Sequence, residues 1–104
     1  MMFDETEPCY VISVAAKMVG VHAQSLRYYE KMGLIEPARS QGRIRFYSHR
    51  DIERLLQIKT LMDDLGINLA GVEVVLRLTE KIAELETQIE ELQLELSRYR
   101  QAQA

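Results

Sequence analysis

Four polar side chains between residues 24 and 31 have the types and the spacing to contact DNA. They fall at positions i, i+3, i+4 and i+7 of one helical face. They are an amide, a phenol and two cations: Gln24, Arg27, Tyr28 and Lys31. Such groups hydrogen-bond base edges in a major groove and bind the phosphates beside it. A solvated helix surface is the alternative, and the neighbouring segments must decide between the two.

The opposite face of the same segment is apolar. Leu26 and Tyr29 are three residues apart, and the turn beyond Gly33 adds Leu34 and Ile35. A helix with one apolar face packs that face on a core and leaves the other face in solvent. We therefore predict a DNA-recognition helix whose polar stripe is exposed.

A shorter helix is expected just before it, which would complete a helix-turn-helix. Ser13 offers a hydroxyl as N-cap for a helix over residues 14–19, and Gly20 ends that helix. His22 stands at the cap position of the second helix, so two helices are joined by a Gly-containing turn. Ser13, His22 and Ser25 are therefore further candidate contacts with DNA.

A β-hairpin wing is predicted next. Pro37 breaks the helix, and the Ser-Gln-Gly run at 40–42 marks a tight reversal. In the strand after it, alternation sends Ile44 and Phe46 to one face, which is expected to pack. The other face is cationic and aromatic and is expected to contact phosphates, with a solvated hairpin as the alternative. Its members are Arg43, Arg45 and Tyr47.

A second helix pair follows the wing and is expected to support the first pair by packing. Ser48 and Asp51 resemble a capping box that opens a helix, and Gly66 closes that helix. Asn68 is placed to cap the next helix.

From residue 75 the apolar residues follow a heptad, which predicts a coiled coil. At about 1.5 Å per residue, this rod is roughly 36 Å long, too long to bury its apolar stripe on so small a head. It needs a partner, most simply a second copy of the chain. The a and d positions are Val75, Leu78, Ile82, Leu85, Ile89, Leu92, Leu96 and Tyr99.

Charge is segregated along the chain, although the formal net charge is only −3. Residues 1–16 carry a net −3, residues 17–59 a net +5 and residues 60–104 a net −5. Phosphate affinity depends on local cation density, so a basic middle between acidic ends suits a compact DNA-binding head.

Several other classes of protein are excluded. No apolar run is long enough for a membrane span, and the acidic N-terminus does not resemble a secretory signal, so we expect a cytoplasmic protein. Cys9 is the single cysteine and is expected to pack as a small hydrophobe, with redox sensing as the alternative. His22 and His49 have no cysteine cluster beside them, so neither a metal nor a cofactor is expected. No hydrolase motif or Gly-rich phosphate loop is present, which argues against an enzyme.

These elements predict an all-α fold with a small β-hairpin wing, in which a winged helix-turn-helix head precedes a long C-terminal dimerisation helix. We expect a flexible acidic N-terminus over residues 1–9 and a DNA-binding domain over 10–74. A coiled-coil helix over 75–100 and a tail over 101–104 complete the chain.

The chain resembles the MerR family of winged-helix bacterial transcription regulators from about Tyr10 to Tyr99. Five motifs carry the resemblance: Leu-Arg-Tyr-Tyr-Glu at 26–30, Gly-Leu-Ile at 33–35, the wing residues 42–43 and 45–47, Asp-Ile at 51–52 and Leu-Gly at 65–66. Within the family, residues 22–27 and 66–72 look most like the heat-shock repressor branch, HspR.

The resemblance implies a homodimer that reads an inverted repeat in double-stranded DNA through an antiparallel coiled coil. Effector segments in the family usually follow that coil, whereas here four residues follow position 100 and no cysteine lies nearby. No small-molecule or metal inducer is therefore expected. The repressor branch implies control of chaperone genes, with a DnaK-type chaperone as co-repressor.

Two alternatives stay open. The head could be a protein-binding module of a coiled-coil adaptor, whose basic face meets an acidic partner. The coil itself could be parallel, because Lys81 would then meet Glu86 of the partner chain, and β-branched a positions with Leu at d also fit two parallel strands.

Overall fold

A computed structural model describes residues 4–103 of the chain. The chain divides into two compact units, with the boundary between Asn68 and Leu69. The sequence-based prediction placed the end of the DNA-binding domain at residue 74, inside the second of these units. The last helix begins at Leu69 and continues without a break past residue 75, so the heptad pattern begins inside a helix and not at its first residue.

The first unit holds three helices and three short strands, followed by a π-helical turn. In chain order they are β1 (Tyr10–Val11), α1 (Ile12–Val19), α2 (Ala23–Lys31), β2 (Ala38–Arg39), β3 (Arg45–Tyr47), α3 (His49–Lys59) and the π-helical turn (Thr60–Asp64). The predicted fold class, helical with a small wing, is confirmed.

The sheet is antiparallel with strand order β1-β3-β2. Strands β2 and β3 form the predicted hairpin, in which Ala38 lies opposite Phe46. Strand β1 adds a third strand, with Tyr10 opposite Tyr47. The sequence did not predict β1, because two residues are too few to show alternation.

Helix α1 begins at Ile12, directly after β1. Its N-cap is Val11, which makes no side-chain hydrogen bond, and Ser13 lies exposed in the first turn. The predicted capping role of Ser13 was therefore wrong, because the strand leads straight into the helix. The predicted end is confirmed, since Gly20 adopts a φ of +82° and its N–H donates to the Ala16 carbonyl at 2.8 Å.

Helix α2 has His22 at its N-cap, as predicted, although the imidazole makes no capping hydrogen bond. The helix ends in a Schellman motif. The N–H of Gly33 donates to the Glu30 carbonyl at 3.0 Å, and that of Leu34 to the Tyr29 carbonyl at 2.9 Å. Gly33 supplies the φ of +78° that this motif requires.

Helix α3 opens with the predicted capping box. The Ser48 Oγ accepts from the Asp51 N–H at 3.1 Å, and the Asp51 Oδ2 accepts from the Ser48 N–H at 2.9 Å. Two cations of this helix reach the helix-turn-helix, where Arg54 Nε donates to the Leu34 carbonyl at 2.6 Å. Lys59 Nζ donates to the carbonyl of Val19 at 3.1 Å. The predicted support of the first helix pair by the later helix is thus confirmed for α3.

The core of the first unit draws on every one of its helices and on β3. Its apolar members include the predicted inner face of α2, with Leu26 fully buried and Tyr29 only 6% exposed. The core side chains are Ala15, Ala16, Val19, Leu26, Tyr29, Leu34, Ile35, Tyr47, Ile52, Leu55, Ile58 and Leu61, and the polar Ser48 is buried as well.

The segment before β1 was predicted to be flexible, and its residues 1–3 lie outside the described residues. Residues 4–9 are joined to the head by two backbone hydrogen bonds. The Arg50 N–H donates to the Glu5 carbonyl at 2.9 Å, and the Cys9 N–H donates to the Tyr47 carbonyl at 3.1 Å. Cys9 is exposed, so the prediction that it packs as a small hydrophobe was wrong.

The second unit is one helix, α4 (Leu69–Gln103), of 35 residues and about 52 Å. Residues 101–103, predicted as a tail, continue this helix, and residue 104 lies outside the described residues. From residue 78 onward the heptad side chains are between 45 and 63% exposed, a wide apolar stripe in solvent. They are Leu78, Ile82, Leu85, Ile89, Leu92, Leu96 and Tyr99, and Val75 is half-buried. Over residues 4–103, no helix combines the length and the apolar character that a membrane crossing requires.

Candidate nucleic-acid interface

The polar stripe of α2 is exposed along its whole length, as the sequence predicted. Gln24, Arg27, Tyr28 and Lys31 all face solvent. The guanidinium of Arg27 donates to the Gln24 Oε1 at 3.4 Å, so an amide and a cation are already aligned side by side. Because the opposite face is packed in the core, the helix can present this stripe to a groove without moving.

A shallow groove of about 500 Å³ lies at the start of α2. It brings four of the candidate DNA contacts together around a partly apolar surface. The lining side chains are His22, Gln24, Ser25, Tyr28, Tyr29 and Met62. His22 is exposed and Ser25 half-buried, while Ser13 lies exposed on α1.

The wing presents its cations differently from the prediction. Arg43 is exposed in the turn of the hairpin and has a φ of +64°. Arg45 is half-buried, and its Nε donates to the Glu30 Oε1 of α2 at 2.5 Å. Arg39, which the sequence reasoning missed, donates from Nη2 to the Glu30 Oε2 at 2.6 Å. Its only signal in the sequence was its position at the base of the hairpin.

Tyr47 is a correction to the predicted interface. Its side chain is fully buried, and its hydroxyl has no hydrogen-bond partner among the described residues. Burial also raises the pKa of the Tyr47 phenol. It cannot contact DNA from this position. The predicted faces fail at two positions: Ile44, expected to pack, is 55% exposed, and Tyr47, expected in solvent, is fully buried. Arg45 and Phe46 between them are both half-buried.

Glu30 supplies the negative charge that allows the cationic Arg45 to lie half-buried against α2. Burial raises the pKa of the Glu30 carboxyl, but the hydrogen bonds and charges of Arg45 and Arg39 outweigh burial and hold this pKa below its ordinary value. The two arginines lie directly opposite each other on neighbouring strands, where like charges repel. The carboxylate between them removes that repulsion.

This arrangement predicts a stability that depends on pH. Because the pKa of Glu30 is lower in the folded than in the unfolded chain, its contribution is complete above the ordinary value of 4.5. It is lost as the pH falls through the folded pKa. We expect the difference in unfolding free energy between the native chain and Glu30→Gln to shrink as pH falls below about 4.5. Urea unfolding between pH 7 and pH 3 measures it, and a difference that stays constant with pH would contradict this assignment.

Among the described residues, six cations of the head are exposed, and one of them, Arg39, is paired with Glu30. They lie on α1, on α2, in the hairpin and at the start of α3: Lys17, Arg27, Lys31, Arg39, Arg43 and Arg50. Over residues 4–103, no group of three or more His, Cys, Asp or Glu side chains is placed to hold a metal ion. The site therefore offers cations and hydrogen-bond donors, the groups that bind the phosphates and base edges of a nucleic acid.

Two helices joined by a tight turn, a hairpin beside the second helix and a helix that supports both define the first unit as a winged helix-turn-helix. Comparison with known sequences agrees. Residues 10–79 match the family described as MerR HTH family regulatory protein. The chain belongs to this family.

Among curated relatives, a Streptomyces coelicolor protein that carries the name heat shock protein HspR is 50% identical over 88 residues. The match covers 85% of this chain and 58% of that protein. The HTH-type transcriptional regulator GlnR of Bacillus anthracis is 36% identical over 77 residues, which are 74% of this chain and 59% of the relative. The chain thus spans a little under three fifths of the length of these relatives. Both are named as regulatory or stress proteins and neither as an enzyme.

Among solved structures, HiNmlR is described as a MerR family regulator lacking the sensor domain and bound to promoter DNA. It superimposes with a TM-score of 0.62 over 88% of this chain and 76% of its own, at 22% identity, and therefore supports the fold. The regulator PbrR691 of Ralstonia metallidurans, solved with lead(II), has a TM-score of 0.64 and 28% identity. That match covers 81% of this chain and 77% of PbrR691.

Proposed function

We propose that this chain is a sequence-specific DNA-binding transcription regulator. The observation that carries the proposal is the exposed stripe of α2, whose amide, phenol and cations stand on a helix that is packed from behind. In this proposal α2 lies in a major groove, where Arg27 and Gln24 reach base edges. The exposed Arg43 of the wing binds a flanking phosphate.

The proposal includes a homodimer that binds an inverted repeat. The apolar stripe of α4 is exposed along most of the helix, and a second copy is the simplest surface that covers it. Two identical heads related by a two-fold axis read two half-sites of opposite orientation. The resemblance to MerR proteins favours an antiparallel pairing of the two α4 helices.

The relatives support a more specific assignment. Half of the aligned residues are shared with the protein named HspR, so we propose that the chain represses genes of the heat-shock response in the bacterial cytoplasm. A DnaK-type co-repressor stays a prediction from the resemblance.

Selection from a pool of random duplex DNA tests the function directly. Sequencing the bound fragments should yield an inverted repeat whose affinity falls steeply with salt, because each cation–phosphate contact releases counterions. The chain should also bind heparin despite its sequence pI of about 5.4. An adaptor that binds acidic proteins would leave no enriched sequence in the pool and would ignore duplex DNA at moderate salt.

Arg27→Ala is expected to weaken binding to the selected duplex by about 1 to 3 kcal/mol, as the loss of one bidentate base contact would. A titration of labelled duplex with folded protein measures the change. Arg98→Ala, which removes an exposed cation from α4, is the matched control for net charge. Unchanged affinity in Arg27→Ala would remove this residue from the interface.

Arg43→Ala is expected to weaken all duplexes about equally. The slope of log affinity against log salt should decrease by about one unit, because one phosphate contact is lost. Binding to the selected duplex and to a scrambled one, each at several salt concentrations, gives both quantities. A change in base preference would instead mean that the wing reads sequence.

A further inference from the structure

Glu30 is a carboxylate on the helix proposed to read DNA, where negative charge should be unfavourable. A carboxylate close to bound phosphates lowers affinity by repulsion, and its side chain is 22% exposed beside cations of the proposed site. We therefore expect Glu30 to have a second role that offsets this repulsion. The contacts of Glu30 indicate what that role is.

Each carboxylate oxygen of Glu30 accepts from a different strand of the wing. Oε2 accepts from Arg39 of β2 at 2.6 Å, and Oε1 accepts from Arg45 of β3 at 2.5 Å. A single side chain of α2 thus holds both strands of the hairpin. We call the contacts of Glu30 with Arg39 and Arg45 the clamp. Both contacts join charged groups, and such hydrogen bonds are about twice as strong as those between neutral groups.

The clamp extends to the tip of the wing. The other terminal nitrogen of Arg39, Nη1, donates to the Arg43 carbonyl at 3.1 Å. Arg43 has a φ of +64°, a left-handed conformation that is unfavourable for a residue with a side chain. Its own N–H donates to the Ser40 carbonyl at 2.9 Å. Contacts from Glu30 through Arg39 therefore end on the residue proposed to bind phosphate.

The helix end that carries Glu30 is itself held firmly. The Glu30 carbonyl accepts from the Gly33 N–H in the Schellman motif, and Arg54 of α3 donates to the carbonyl of Leu34 in the same turn. A site on an element held in this way can fix the geometry of a neighbouring hairpin.

We propose that Glu30 is the positioning residue of the DNA site, which sets the wing and its Arg43 relative to the recognition helix. This inference rests on the proposed function and adds to it a residue that does not itself contact DNA. Removal of the carboxylate leaves two opposed arginines and a left-handed Arg43 without their link to α2. Arg43 then meets its phosphate from a broader range of positions, and binding costs more conformational entropy.

Glu30→Gln separates this role from simple electrostatics, because the two predict changes of opposite sign. Loss of a negative charge alone should tighten binding to DNA. Loss of the clamp should weaken it, by about tenfold on the selected duplex at pH 7. Glu36→Gln removes an exposed carboxylate six residues away and is the matched control, expected to bind as well as the native chain or better.

Two further variants test the path through Arg39. Arg39→Lys keeps the charge but replaces the two donor nitrogens, Nη1 and Nη2, with a single ammonium nitrogen. It should therefore weaken binding although net charge is unchanged. In a double-mutant cycle, Arg43→Ala should cost much less in the Glu30→Gln background than in the native chain. Strictly additive effects, or a Glu30→Gln variant that binds as tightly as Glu36→Gln, would overturn the proposal.

A measurement without DNA keeps this inference separate from the proposed function. Amide hydrogen exchange at Arg43 and Ile44 reports the order of the wing, because both N–H groups donate to Ser40. Exchange at these two amides should be faster in Glu30→Gln, while exchange of the α3 core amides stays the same. In Glu36→Gln the exchange of the two wing amides should not change. If the native chain bound no duplex, the DNA function would fail while faster wing exchange still supported the clamp. Unchanged wing exchange would refute the clamp whatever the DNA result.

Discussion

Ile89→Lys is expected to convert the proposed dimer into folded monomers that lose specific binding to DNA. Ile89 lies in the middle of the exposed stripe of α4 and is 53% exposed in the single chain. Covering such side chains stabilises association by about 25 cal/mol for each Å² of apolar surface, and an ammonium group there must stay hydrated or force the helices apart. Light scattering of the purified variant measures the change in mass.

Leu94→Lys is the matched control for this prediction. Leu94 is equally apolar and 54% exposed on the same helix, but it lies at position f, outside the heptad seam. It should remain dimeric. If Ile89→Lys also remained dimeric, the assignment of the seam would be wrong.

The effect of Ile89→Lys on DNA binding follows from the loss of the α4 pairing that joins the two heads in the proposed dimer. A single head engages one half-site and loses the effective concentration that the partner provides, so specific binding should fall much further than nonspecific binding. Fluorescence transfer between labels at position 99 of the two native chains distinguishes the orientations. Efficient transfer, from labels that lie close together, would contradict the antiparallel arrangement.

Tyr47→Ala is expected to destabilise the head by about 3 to 5 kcal/mol, because it empties a fully buried aromatic site. Tyr47→Phe should behave in the opposite way. It removes a buried hydroxyl that has no partner among the described residues, so stability should stay equal or rise by about 1 kcal/mol. Urea unfolding of both variants gives the two values.

Tyr28→Phe is the matched control, since Tyr28 is a tyrosine of α2 that is 46% exposed. It should leave the free energy of unfolding unchanged and weaken DNA binding if its hydroxyl contacts the duplex. A weaker DNA affinity in a stable Tyr47→Phe variant would instead restore Tyr47 to the interface.

Local patterns in the sequence were sufficient to predict much of the head and of the candidate site. Gly20 and Gly33 end their helices because each adopts a positive φ that glycine tolerates, and Ser48 with Asp51 forms a capping box from two residues three apart. The amphipathic pattern of α2 placed the stripe in solvent because helical spacing relates residues of the same element.

Contacts between distant residues were decided only by the tertiary structure. The alternation of β3 separated two faces but could not say which one is inward, so Tyr47 was placed in solvent although it lies in the core. The inward face holds Arg45 because Glu30, fifteen residues earlier, supplies the compensating charge.

Element boundaries were also decided by packing. A serine that fits an N-cap lies inside α1 because β1 pairs with β3 up to Val11, a contact that no local pattern around Ser13 reveals. The sequence by itself determined the helices and their amphipathic faces, since these depend on spacing within one segment. Which face of the wing turns inward, and which charges meet, was determined by contacts between segments.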